Sequence, residues 1–158
     1  MAKVLLIGPL TERYSGIEDY GAPPLGVHRI AAFLKAHGHA ATVYDSNLQS
    51  PEWFDRALET QWDIIGISIL AETLRLSLEM LLRLRRVQPR AVLVAGGPEA
   101  MVNYERIFEE TPTNVAVIGD GELPMLELAD GKRPSDAKGV VVRRFALPVT
   151  NDLLWSYY

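Results

Sequence analysis

The sequence predicts an α/β fold of the flavodoxin or Rossmann-like kind, a doubly wound parallel sheet of five strands in the order 2-1-3-4-5. Three observations predict it. Short apolar runs ending in small residues recur at Val4-Leu5-Leu6-Ile7-Gly8-Pro9, Ile64-Ile65-Gly66-Ile67-Ser68, Val92-Leu93-Val94-Ala95-Gly96-Gly97-Pro98 and Val115-Ala116-Val117-Ile118-Gly119-Asp120-Gly121-Glu122, and such runs read as strands buried on both faces. Between them lie stretches with apolar residues at helical spacing, and strands alternating with helices wind into a parallel sheet. A length of 158 residues, 48% of them hydrophobic, supplies one domain with one continuous core.

Taken in order, the first strand, 3–7, is followed by a long irregular stretch, 8–23, that carries Tyr14 and Tyr20. Most strand-to-helix connections are about 2–6 residues, so its length marks it as either functional or mobile. Pro24 suits the first turn of a helix, where a missing N–H costs nothing. Val27, Ile30, Ala31 and Leu34 then share one helical face, and Gly38 ends the helix. Strand two is 40–45, and Pro51 and Glu52 open a helix whose stripe is Phe54, Ala57 and Leu58. Strand three, 63–68, leads to a helix over 72–87 with Leu74, Leu78, Leu81 and Leu82 facing inward.

Arg83, Arg85, Arg86 and Arg90 crowd the end of that helix and read as a solvated terminus favoured by the helix dipole. After strand four a helix is expected from Asn103, whose side chain can cap it, to Glu110. Strand five, 114–118, runs into a short helix through Leu126 and Leu128, and weak alternation over 138–145 fits an extra edge strand or half a hairpin. The domain is expected to span 1–146, with 147–158 a linker toward something that follows.

A net charge of −4 with mixed signs gives no electrostatic reason to bind nucleic acid or anionic membrane. The absence of cysteine removes disulfides, thiolate metal sites and thiol nucleophiles from the chain. No run approaches the roughly 20 apolar residues that span a bilayer, and the N-terminus is too short in apolar residues for a signal sequence. A cytoplasmic protein is the expectation.

In open α/β sheets ligands bind outside the carboxyl ends of the strands, so the glycine-rich strand ends are the place to look for function. Several chemistries fail there. A phosphoryl-accepting receiver needs acidic residues after strand one and an aspartate ending strand three, where this chain has Gly8-Pro9 and Ser68. The first loop lacks the Gly-x-Gly-x-x-Gly dinucleotide fingerprint and a P-loop, and Gly8-Pro9-Leu10-Thr11 is a poor flavin phosphate loop. Ser68 is out of frame for a nucleophile elbow.

The remaining pattern is Ser68-Ile69-Leu70 after strand three with Gly96-Gly97 after strand four. Together with Lys3-Val4-Leu5-Leu6-Ile7-Gly8-Pro9, Pro23-Pro24-Leu25-Gly26, Gly38-His39, Asp45, Asp63 to Ser68, Gly96-Gly97-Pro98 and Gly119-Asp120-Gly121-Glu122, it resembles the cobalamin-binding domain at the N-terminus of radical S-adenosylmethionine enzymes. The resemblance implies that the nucleotide tail of cobalamin (vitamin B12) enters a crevice lined by the Ser-x-Leu and the Gly-Gly. A Ser68 hydroxyl can hydrogen-bond a buried tail, and Gly96 and Gly97 leave room for it.

The cofactor-binding set it implies is Gly8, Pro9, Leu10 and Tyr14 after strand one; Ser68, Ile69, Leu70 and Glu72 after strand three; Gly96, Gly97, Pro98 and Glu99 after strand four; and Gly119, Asp120, Gly121 and Glu122 after strand five. No catalytic residue and no metal ligand is expected in the chain. A bulky replacement of Gly97 is expected to abolish corrin retention while leaving the fold intact.

Many cobalamin domains carry Asp-x-His-x-x-Gly after strand one, whose histidine binds cobalt from below; here the loop reads Thr11-Glu12-Arg13-Tyr14-Ser15-Gly16, with no imidazole. Base-off cobalamin without a protein histidine is implied, with His28 read as a surface residue of helix one. The resemblance further implies a methyltransferase that uses methylcobalamin on a weakly activated carbon or phosphorus centre. A following radical S-adenosylmethionine domain would hold a [4Fe-4S] cluster and S-adenosylmethionine, since its three-cysteine motif cannot exist here. The alternatives are a cobalamin-dependent radical S-adenosylmethionine cyclase, or a stand-alone cofactor-binding or sensory domain.

Overall fold

The computed structural model describes residues 1–10 and 23–143; Tyr14, the rest of the first loop and the expected linker over 147–158 lie outside the described residues. The strands are β1 (Lys3–Ile7), β2 (Ala40–Tyr44), β3 (Ile64–Ser68), β4 (Val92–Gly96), β5 (Val115–Val117) and β6 (Val140–Val142). The helices are α1 (Leu25–Ala36), α2 (Pro51–Ala57), α3 (Leu74–Val87), α4 (Pro98–Glu110) and α5 (Glu122–Ala129). The sheet order is β2-β1-β3-β4-β5-β6, parallel throughout except for β6, which runs antiparallel to β5 at the edge. The expected order thus holds, and of the two readings of the weak alternation near 140, an edge strand or half a hairpin, the edge strand is the one found, antiparallel to β5.

Successive strand residues point to opposite faces, and the burial follows that period of two. Leu5, Ile7, Ile65, Ile67, Leu93 and Ala95 pack with Phe54, Leu78, Leu81, Leu84 and Ile107 on the face covered by α2, α3 and α4. Val4, Leu6, Ile64, Val94, Val115 and Val117 pack with Val27, Ala31, Leu34, Met125 and Leu128 on the face covered by α1 and α5. Each fully buried leucine or isoleucine in these layers contributes about 1.5–3 kcal/mol relative to exposure. Two apolar layers on a central sheet therefore fix the carboxyl ends of β1, β3, β4 and β5 along one edge.

Three local expectations are corrected. The helix after β4 starts at Pro98, not at Asn103; proline at the first helical position lacks only an N–H that would be unpaired, and the Asn103 signal marks a kink (φ −122°, ψ 25°) inside the helix. There the Asn103 side-chain amide donates to the Glu99 carboxylate. On α3 the buried position is Leu84, whereas Leu82 is only partly buried.

The third correction concerns Arg85, which is 7% exposed rather than solvated. Its guanidinium donates to the carbonyls of Pro89 (2.8 Å) and Ala91 (3.0 Å) and to Asn114 Oδ1 (2.6 Å), and Asn114 Oδ1 also accepts the Leu93 N–H. Burial, and after it the nearby Arg143 charge, lowers the Arg85 pKa; the carbonyl oxygens offset that desolvation. Arg83, by contrast, is exposed and pairs with Asp55. No described helix is long and apolar enough to cross a membrane.

Candidate functional site

The site follows from strand parity and register. On the α1/α5 face, Leu6, Gly66 and Val94 form one row across β1, β3 and β4, and Ser68 pairs with Gly96 in the row nearer the strand ends. Gly66 carries no side chain into the first row. Leu6 and Met125 close over it, so that a Cβ there would stand 3.0 Å from Leu6 Cδ2 and 3.5 Å from Met125 Cε. In the second row a Cβ on Gly96 would meet nothing nearer than the Ile67 carbonyl at 3.9 Å. The result is a notch with an apolar floor and an open upper step.

Two helices wall the notch. From α1 come Gly26, Val27 and Ile30, and from α5 come Gly121, Glu122 and Met125. Gly121 eases this approach: a Cβ on it would lie 2.6 Å from Ile30 Cδ1, so the end of the Ile30 side chain would have to turn aside. The half-open crevice measures about 320 Å³, at the lower end of the roughly 300–1,000 Å³ of small-molecule sites, and it has their usual character of apolar walls with a few polar groups. Its polar groups are the Ser68 hydroxyl, the Asp120 and Glu122 carboxylates and the Arg29 guanidinium. Arg29 Nη2 and Glu122 Oε1 pair at 2.7 Å, joining α1 to α5 at the solvent side, with Arg29 70% and Glu122 20% exposed.

Gly97 plays a different part from the one the sequence suggested. Its backbone (φ +89°, ψ 174°) lies in a region that essentially only glycine adopts. A Cβ on it would fall 2.7 Å from the Ile69 carbonyl oxygen, 2.8 Å from the Ile69 nitrogen and 3.0 Å from Ser68 Oγ. The Ile69 N–H donates to the Gly96 carbonyl (2.8 Å) and the Glu99 N–H to the Ile69 carbonyl (3.1 Å). Gly97 therefore locks the end of β3 to the start of α4, and a bulky residue there would disturb the fold itself, contrary to the expectation that it would leave the fold intact.

Of the sequence-derived candidates, the structure brings Ser68, Gly96, Gly97, Pro98, Gly119, Asp120, Gly121 and Glu122 to the crevice. The others sit elsewhere. Ile69 is fully buried in the layer on the opposite face, the Leu70 N–H donates to Thr73 Oγ1 at 3.0 Å, and Glu72 is exposed. Glu99 is 8% exposed, its carboxylate engaged by Asn103. The Gly8 N–H donates to the Tyr44 carbonyl at 2.8 Å, and the Pro9 carbonyl accepts from Ser46 Oγ at 3.4 Å. Leu10 lines a separate depression of about 510 Å³ between α2 and α3, with Tyr44, Leu76 and Met80. That depression is larger but lies on the opposite face and gathers none of the glycine-rich strand ends.

Sequence reasoning missed Gly66, Arg29 and the α1 wall of Gly26, Val27 and Ile30. Gly66 could have been found by parity, since it lies two residues before Ser68 on the same strand and therefore on the same face. No histidine lines the crevice. His28 is exposed on α1, His37 bonds the Phe33 carbonyl, and His39 contacts the Ala2 N–H and Asp130. No cluster of metal-ligating side chains occurs among the described residues.

A doubly wound sheet with a glycine-stepped crevice at the carboxyl ends of β3, β4 and β5 defines a small-molecule-binding α/β domain. More narrowly, the chain belongs to the B12 binding domain family, whose model matches residues 19–129. Solved structures with the same fold include the radical S-adenosylmethionine methyltransferase TsrM from Kitasatospora setae with tryptophan substrate and a SAM analogue bound, at 18% identity and TM-score 0.74, over 90% of this chain and 28% of that one. TsrM with cobalamin and a [4Fe-4S] cluster bound aligns at TM-score 0.72 and 18% identity, over 90% of this chain and 27% of that one. The cobalamin-dependent S-adenosylmethionine radical enzyme OxsB with aqua-cobalamin and S-adenosylmethionine bound aligns at TM-score 0.70 and 17% identity, over 89% of this chain and 20% of that one. The chain thus spans less than a third of the length of these proteins. No curated protein matches the sequence.

Proposed function

We propose that this chain is the cobalamin-carrying module of a radical S-adenosylmethionine enzyme, a methyltransferase acting on a weakly activated carbon or phosphorus centre. The observation that carries the reading is the crevice itself: an open step at Gly96 beside the Ser68 hydroxyl, floored by Leu6, Gly66 and Met125 and walled by α1 and α5. A planar base with its ribose needs apolar walls on both sides and a hydrogen-bonding group at one edge, and these residues supply both. Ser68 would donate to or accept from the buried tail, and Val27, Ile30, Val94 and Val117 would exclude water from it.

Cobalamin, when bound, supplies a transferable methyl group. The chain's own contribution is to hold and orient. With no histidine among the residues that line the crevice, the reading is base-off binding without a protein ligand to cobalt. Among the described residues, five of the seven exposed large apolar side chains stand on segments that follow the carboxyl ends of strands, namely Leu25 at the start of α1, Leu48 after β2, Met101 and Val102 in the first half of α4 and Leu123 in the first turn of α5, while Met1 and Val87 lie at the other end. In this reading, a corrin ring and a following radical S-adenosylmethionine domain would cover the carboxyl edge of the sheet. The methyltransferase reading takes its reaction class from the TsrM likeness.

The test is to incubate the 158-residue chain with hydroxocobalamin, separate free cofactor by gel filtration and record the visible spectrum. Corrin co-eluting with a base-off spectrum is expected. Its complete loss would contradict the reading and favour a domain that binds something else.

A further inference from the structure

Resting on the cobalamin reading above, we propose that Arg29 grips the phosphodiester of the nucleotide tail, and that its ion pair with Glu122 is the resting position from which it is drawn. Arg29 is the only cation among the described residues that line the crevice, facing two carboxylates, Asp120 and Glu122. The tail brings one further negative charge, on the phosphodiester between the corrin side chain and the ribose. A base lodged beside Ser68 and Gly96 would leave that phosphodiester nearer the solvent side, and Arg29, 70% exposed, stands on that side of the crevice.

The exchange is favourable at both ends. A guanidinium presents a planar fork of N–H donors that matches a phosphate oxygen pair, and such charge-assisted bonds are stronger than neutral ones. Arg29 is 70% and Glu122 20% exposed, so the guanidinium end of the pair is open to solvent, where ion-pair attraction is weakened. Glu122 occupies the first turn of α5, where the helix dipole stabilises a carboxylate that has lost its partner. A fixed brace between α1 and α5 would need the ion pair intact; a handover needs it to break.

The two roles differ in the sign of one measurement, the dissociation constant for hydroxocobalamin of the 158-residue chain and its variants. For the handover, Arg29→Ala is expected to weaken binding about tenfold or more, while Glu122→Gln, which releases Arg29 in advance, tightens it severalfold. Arg29→Gln, which keeps most of the stem, is expected to behave as Arg29→Ala, and raising salt should weaken the wild type more than either. A brace makes both Arg29→Ala and Glu122→Gln weaken binding, and that result overturns the proposal, as does a constant unchanged by loss of Arg29. If the wild type itself holds no hydroxocobalamin, the crevice reading fails and takes this proposal with it. If the wild type holds it and Arg29→Ala holds it equally, only the phosphodiester grip falls.

Discussion

Replacing Gly96 with valine separates the crevice from the fold that builds it. A Cβ at position 96 meets only the Ile67 carbonyl at 3.9 Å, an ordinary contact, and its backbone is that of a strand rather than a glycine-only conformation. Glycine inside a strand costs roughly 0.5–1 kcal/mol against a residue with a side chain, and valine suits a pleated surface. The unliganded variant should therefore be as stable as the wild type or up to about 1 kcal/mol more so, a rise of roughly 2–4 °C in Tm for a chain of this size. The same valine methyls occupy the open step beside Ser68. Forcing extra methyl groups against a fitted group typically costs about 1–3 kcal/mol, so the dissociation constant for hydroxocobalamin should rise roughly 5- to 150-fold. Thermal melting of the apo protein and an absorbance titration give the two numbers. Binding equal to the wild type in a variant that melts no lower would refute the placement of the ligand beside Gly96.

Gly97→Ala should behave in the opposite way: its φ of +89° and the 2.7 Å approach to the Ile69 carbonyl oxygen make alanine cost about 1–3 kcal/mol or more, seen as a melting temperature several degrees lower even without ligand. A melting curve identical to the wild type would contradict the locking role given to this residue. Arg85→Ala removes donors from the carbonyls of Pro89 and Ala91 and from Asn114 Oδ1 and should destabilise by about 3 kcal/mol through unpaired buried acceptors. Because it lies at the end of the sheet opposite the crevice, hydroxocobalamin affinity measured below the melting range should not change. The Glu127 carboxylate accepts from Lys132 Nζ and from the Lys138 N–H, and first the former and then the latter hold its pKa below the usual value. A lowered carboxylate pKa contributes stability above the unfolded value of about 4.3 that is lost as pH falls through the folded one. The Tm difference between the wild type and Glu127→Gln should accordingly be present at neutral pH and vanish in acid; a difference that persists unchanged in acid would rule this out.

Much of this architecture is legible in the sequence because buried parallel strands leave little ambiguity. Runs such as Val4 to Ile7 and Val92 to Ala95 can be satisfied only by burial on both faces, and their alternation with helical patterns leaves few topologies. The crevice was half legible. Ser68, Gly96 and Gly121 stand at strand or helix ends, where small residues announce themselves. Gly66 sits inside a strand, and only register shows that Leu6 and Met125 lean over it. The α1 wall was hidden for another reason: Val27 and Ile30 fit a core-facing stripe whether that stripe meets the sheet or borders a gap. Arg85 escaped because its partners are main-chain carbonyls, which carry no sequence signature, and its neighbours Arg83 and Arg86 made it look like one of a solvated group. At α4, Asn103 was a true local signal of departure from ideal helix, but it marked a kink, while Pro98 marked the start.

The central claim, that a nucleotide tail lies between the α1/α5 pair and the ends of β3 and β4, is tested most directly by amide NMR of the 17.6 kDa chain titrated with hydroxocobalamin. Perturbations centred on Val27, Ile30, Gly66, Ser68, Gly96 and Gly121, with the amides of α2 and the exposed side of α3 unmoved, are the expected result. Shifts confined to the depression around Tyr44, Leu76 and Met80, with the Gly66 and Gly96 amides unmoved, would contradict it.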